Sequence, residues 1–172
     1  MENNTPPLTE EHQWANRYAL ATVDMEEAIR YLDCYEKILQ LNFQSLGQHT
    51  CHGLLSAAIV AYCRPFGTNY STGYAASKLH ADALPSVKKR SALHNLLISK
   101  RNTYIAHSDW KARSVQITVI GPTSLHVSFS RLDITQELDV KEFRTLADDV
   151  RQDCVFKVLP HAKAGAPQVN DA

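Results

Sequence analysis

Three residues of this chain, Arg101, Asn102 and His107, have types and a spacing suited to acid–base chemistry on a phosphate. They form an Arg-Asn-x-x-x-x-His motif within Lys100-Arg101-Asn102-Thr103-Tyr104-Ile105-Ala106-His107-Ser108-Asp109. An imidazole near a helix C-terminus is stabilised in its charged form by the partial negative charge there, so His107 is placed to act as general acid or base. Arg101 brings a rigid donor fork that holds a phosphate and offsets charge building up on it. Asn102 orients either partner by hydrogen bonding. In an ideal α-helix, residues six apart diverge by about 120°, since each turns roughly 100°. Arg101 and His107 therefore meet only if the arginine reaches around or the helix loosens before Ser108. Plainer roles compete: an ion pair of Arg101 with Asp33 or Glu36, a helix-end cap for His107, a buried hydrogen bond for Asn102.

The element that must position these groups is a helix from about Ser86 to His107. Pro85-Ser86 opens it, and Leu93, Leu96, Leu97, Ile98, Tyr104 and Ile105 give it a continuous apolar stripe. His94 lies one heptad before Arg101, on nearly the same line, where packing suits it better than a place in a cleft. Upstream, Thr9 caps a short helix to about Ala21. Asp24 can cap a second segment carrying Ile29, Leu32, Tyr35, Ile38 and Leu39, so one bent helix or two fits the pattern equally. Gly47 reads as a break. A third helix runs from about His49 to Tyr62, rich in small residues, and Arg64-Pro65-Phe66-Gly67 ends it. A short helical stretch is expected from Tyr74 to Leu84.

After Asp109 the apolar period changes from helical to two. Val115–Ile120 and Leu125–Ser130 alternate around the turn Gly121-Pro122-Thr123-Ser124, which predicts a β-hairpin over about 114–130. Asp139 caps a last amphipathic helix through Phe143, Leu146, Val150 and Cys154, ended by Pro160. Residues 1–8 read as a disordered tail, 9–160 as a single helical domain and 161–172 as a flexible tail.

The 172 residues suffice for one domain with a substantial core, and 44% hydrophobic with 21% charged residues is too apolar for disorder. Formal net charge is zero, so no global field draws nucleic acid or a membrane surface. Charge is clustered instead. Between Lys88 and Arg113 stand seven basic residues against one acidic residue, Asp109, and such clusters hold backbone phosphates. No apolar run approaches the roughly 20 residues of a membrane span, and the N-terminus lacks a signal-peptide core. Cys34, Cys51, Cys63 and Cys154 are widely spaced among apolar neighbours, which fits reduced thiols and a cytosolic protein. His49 and His52 can share a helix face, but no third ligand stands at metal-site spacing, so neither metal nor cofactor is implied.

The segment Lys100–Asp109, with Ala61-Tyr62-Cys63-Arg64-Pro65-Phe66 about forty residues before it, resembles the HEPN superfamily, in particular its bacterial abortive-infection and toxin-like branch. The resemblance covers roughly residues 25–110. It implies a mainly α bundle of four to five helices that forms a two-fold dimer, with Arg and His from both copies lining a shared cleft. It further implies metal-independent RNA cleavage, in which the substrate 2′-hydroxyl attacks the adjacent phosphate. By matching, Arg101, Asn102 and His107 carry over as catalytic, with Lys100, Arg64, Lys111 and Arg113 as RNA-binding candidates. The hairpin lies outside the minimal bundle. The expected partners are a second copy, RNA, and a cognate antitoxin or defence protein. The same fold also serves as a non-catalytic dimerisation module that binds nucleotide, RNA or a protein.

Overall fold

A computed structural model describes residues 9–41, 45–67, 78–106, 115–121, 124–129, 134–135 and 138–164. Among them the protein is mainly helical. Helix α1 spans Glu10–Gln40, α2 Ser45–Cys63, α3 Pro85–Lys89, α4 Ser91–Lys100 and α5 Val140–Ala164. Strands β1 (Val115–Gly121) and β2 (Ser124–Phe129) pair antiparallel, with Val115 opposite Phe129, Ile117 opposite Val127, and an irregularity between Val119 and Gly121. No described helix is long and apolar enough to cross a membrane.

The segment from Thr9 to Leu41 resolves as one helix of 31 residues, about 45 Å long. Thr9 caps it by accepting from the His12 backbone N–H at 3.3 Å. Asp24 is not a cap. It sits mid-helix, where its carboxylate receives Arg64. Ala21, Met25, Ala28 and Leu32 recur at helical spacing and are fully buried, so a continuous apolar stripe carries α1 through a position that local chemistry would allow to open.

Two residues expected to break helices lie inside them instead; the break expected at Gly47 falls upstream, between the end of α1 at Gln40 and the start of α2 at Ser45. Gly47 lies inside α2, whose burial of Leu55, Ala58, Ile59 and Tyr62 outweighs the roughly 1 kcal/mol cost of one glycine. Pro160 lies inside α5, which continues to Ala164. His161 in that last turn lies 3.0 Å from Glu11 of α1. Of the stretch expected to be helical from Tyr74, the described part holds one 3-10 turn, Ala81–Ala83.

The helix expected over Ser86–His107 is divided. Arg90 adopts φ −123° and ψ 44°, outside the helical region, and separates α3 from α4. The cause is tertiary. Asp153 of α5 accepts from the Ser86 backbone N–H at 2.9 Å, and Asp149 accepts from Arg90 at 2.6 Å, so α3 is docked on α5 while α4 leaves toward α2. Beyond Lys100 the helix widens into a π-helical turn, Arg101–Ala106.

Helix α1 is central, with α2 on one side and α5 on the other. Both neighbours run antiparallel to it. Arg17, early in α1, meets the end of α2 at Pro65, and Asp33, late in α1, meets Arg144, early in α5, at 2.6 Å. Phe143, Leu146 and Val150 of α5 close the core over Met25, Leu32 and Tyr62, all fully buried. Each such side chain contributes about 1.5–3 kcal/mol by leaving water.

Candidate functional site

Arg101 and Asn102 stand at the junction where α4 becomes π-helical, and both are exposed. A guanidinium N–H of Arg101 donates to the Asn102 side-chain oxygen at 2.9 Å. Among the described residues no carboxylate pairs with Arg101. Asp33, one expected partner, accepts from Arg144 instead, and Glu36 lies close enough to raise the pKa of that same arginine. The guanidinium of Arg101 is thus bonded to a neutral neighbour and exposed, with no carboxylate against it among the described residues. A widened turn is a frequent device at functional sites, because it departs from the regular ladder where a side chain must be re-aimed. Next to it, Thr103 donates to the Ser99 carbonyl at 2.8 Å.

The π turn rests against the end of α2. Burial pushes the Cys63 thiol up to about 12, and the positive charge of Arg101 opposes that rise, which places the guanidinium within electrostatic reach of Cys63. Cys51, Cys63 and Cys154 are buried free thiols, whereas Cys34 is exposed.

Two of the expected RNA-binding side chains occupy other environments. Arg64, directly after α2, donates to Asp24 at 3.0 Å and to Glu27. Both bonds use the same guanidinium nitrogen, Nη1, so two carboxylates share the charge of a side chain that stays half exposed. Glu27 is held below its ordinary carboxylate range by Arg64 and then by the Tyr31 hydroxyl, which donates to it at 2.9 Å. Asp24 is pushed up by burial, against the opposing pull of Arg64 and Arg17. Lys100 is 3% exposed and belongs to the buried side of α4. His107, Lys111 and Arg113 lie outside the described residues.

Beneath the motif runs a buried polar link that sequence patterning does not reveal. Arg17, 8% exposed, donates to the carbonyls of Pro65 at 2.6 Å and Arg64 at 3.3 Å, and burial lowers its pKa. The same turn carries Phe66, whose ring centroid is 4.6 Å from that of His94. His94 is 6% exposed, and its Nδ1 shares a hydrogen bond of 2.9 Å with the Tyr62 hydroxyl. Burial lowers the His94 pKa, which keeps the imidazole neutral. Its role is to pack α4 on α2, one heptad before Arg101. The only advance signals were a polar residue on an apolar stripe and the Arg-Pro-Phe turn.

No family model, curated protein or solved structure matches the chain. Any functional reading therefore stands on the residues themselves. Among the described residues no cluster of three His, Cys, Asp or Glu side chains could hold a metal ion. His49 and His52 are both exposed on α2. What the arrangement offers chemically is an exposed guanidinium and amide pair, aimed outward from a helix end.

Proposed function

We propose that the protein is a metal-independent endoribonuclease of HEPN type that works as a cytoplasmic homodimer in a defence or toxin–antitoxin system. The observation that carries this reading is the Arg101–Asn102 pair: exposed, mutually hydrogen-bonded at 2.9 Å, and without a carboxylate partner among the described residues. In this mechanism Arg101 anchors the scissile phosphate and stabilises the charge that builds on its oxygens. His107 takes the proton of the attacking 2′-hydroxyl, and the imidazolium returns a proton to the departing 5′-oxygen. The products are a 2′,3′-cyclic phosphate and a 5′-hydroxyl. Asn102 orients the guanidinium. Lys111 and Arg113 remain the candidates to follow the RNA backbone, with the hairpin as an addition to the helical bundle.

A second reading is favoured by a specific observation. Arg64 is held by two carboxylates and Lys100 is buried, which thins the cationic track that an RNA would follow. This supports a non-catalytic dimerisation module that binds a nucleotide, an RNA or a cognate protein.

Purified protein incubated with RNA in EDTA separates the two. Cleavage is expected, with a loss of at least about a hundredfold in His107→Ala and in Arg101→Ala. Arg101→Lys restores only part, since a point charge lacks the bidentate fork. Cleavage that needs a divalent ion refutes the mechanism. RNA bound but never cut, equally by wild type and both alanine variants, establishes the scaffold.

A further inference from the structure

Away from the motif, at the start of α1, lies a recess of about 310 Å³ lined by Trp14, Tyr18, His80 and Ala83. Trp14 and Tyr18 are one helical turn apart on α1. His80 comes from the segment that enters the 3-10 turn Ala81–Ala83, anchored by the Leu79 backbone N–H donating to the Pro65 carbonyl at 2.7 Å. The Trp14 ring lies 6.2 Å from Tyr18 at 35° and 6.3 Å from His80 at 45°, centroid to centroid. Neither pair is stacked in parallel, so no ring covers another face to face, and all three border the space. Nor does the core consume them: Trp14 and Tyr18 are half-buried and His80 is exposed.

We propose that this recess binds a neutral planar heterocycle of the nucleobase kind, stacked on one of the three rings. The proposal rests on ring geometry and does not require the ribonuclease reading. Apolar walls take the faces of such a ring out of water. The indole N–H of Trp14 and the imidazole nitrogens of His80 supply a few polar groups for its edge, while the Tyr18 hydroxyl lies within electrostatic reach of buried Cys154 and its ring serves as wall. Every base presents a π face, so aromatic platforms bind bases with little dependence on sequence. An organic cation suits the recess less well, because no carboxylate is among its described lining residues to balance a desolvated charge. Ala83 keeps the space open, since a larger side chain there would occupy it.

The test uses the full ¹⁵N-labelled chain, whose tryptophans are Trp14 and Trp110. The Trp14 indole N–H resonance, assigned with Trp14→Phe, is followed as adenosine or uridine is added; both probes are uncharged and carry no phosphate. A saturable shift with a dissociation constant on the order of a millimolar is expected for so small a ligand. His80→Ala, at an exposed position, should weaken binding about tenfold by removing one platform. Ala83→Leu should abolish it by filling the space. No saturable shift up to the solubility of either nucleoside overturns the proposal. So does a saturable shift with tetramethylammonium but not with nucleosides, which would mark a cation site. Binding unchanged in both His80→Ala and Ala83→Leu overturns it as well, since the heterocycle would then sit elsewhere.

Discussion

Replacing Tyr62 by phenylalanine removes one oxygen atom from the centre of the protein and leaves the ring in place. The contacts of that ring with Phe66, tilted, and with Phe143, edge to face, both at 5.5 Å, survive the change. What is lost is the hydroxyl at 2.9 Å from His94 Nδ1. A hydrogen bond between two groups that can both return to water contributes about 0.5–1.5 kcal/mol, whereas a buried group left without its partner costs about 1–3 kcal/mol. The second case applies, because Tyr62 is fully buried and His94 only 6% exposed, so water does not replace the hydroxyl. The expected destabilisation is therefore about 2 kcal/mol, or a fall in Tm of roughly 4–8 °C for a domain of this size. Urea unfolding followed by circular dichroism at pH 7.5 should show a lower midpoint and an unchanged m-value. His94→Leu removes the other partner, so the double variant should lose less than the sum of the two single losses. A Tyr62→Phe loss below about 0.5 kcal/mol, or strict additivity in that cycle, would refute the link between α2 and α4 drawn from this bond.

Two further expectations follow from the same buried network. Burial holds the His94 pKa below its ordinary value of 6.5, while the unfolded chain titrates normally, so below that pH the unfolded state binds more protons. Stability is then level above pH 6.5 and declines as pH falls beneath it; urea midpoints at pH 7.5 and 5.5 measure this, and an equal decline in His94→Leu would assign the effect to other groups. Arg17→Met strips the Pro65 and Arg64 carbonyls of their buried donor and should cost at least about 2 kcal/mol by the same unfolding measurement. Both bonds come from one guanidinium nitrogen, Nη2, so the ammonium of Arg17→Lys, with three N–H donors, should recover part of the loss, and a wild-type midpoint in Arg17→Met would show that the clamp contributes nothing.

What could be read along the chain was periodicity and local capping. The stripe in α1, the small-residue face of α2 and the spacing Phe143, Leu146, Val150, Cys154 in α5 each encode burial through the 3.6-residue repeat, and those faces are the core. Thr9 and Asp139 cap their helices with their own side chains, Asp139 accepting from the Lys141 and Glu142 backbone N–H groups at 2.9 and 3.0 Å, so both starts were legible from neighbours in sequence. The same local logic failed wherever a distant partner could outweigh it. Asp24 offers a local signal to start a new helix and Gly47 one to break, but burial of the continuous α1 stripe and of the α2 face exceeds the cost of a single residue, and the helix break falls between them, after Gln40. Arg90 shows the converse: nothing near it in sequence opens the helix, yet Asp149 and Asp153, about sixty residues away, do. The candidate site divides along the same line. Residue type marked Arg101 and Asn102, but type cannot tell an exposed cation from a neutralised or buried one. Only the packing of α1 against the end of α2 decided that Arg64 pairs with Asp24 and Glu27, and only the tertiary placement of α4 decided that Lys100 is buried while Arg101 is exposed. Charge is written in the sequence, while its availability depends on which groups the fold brings within a few ångströms.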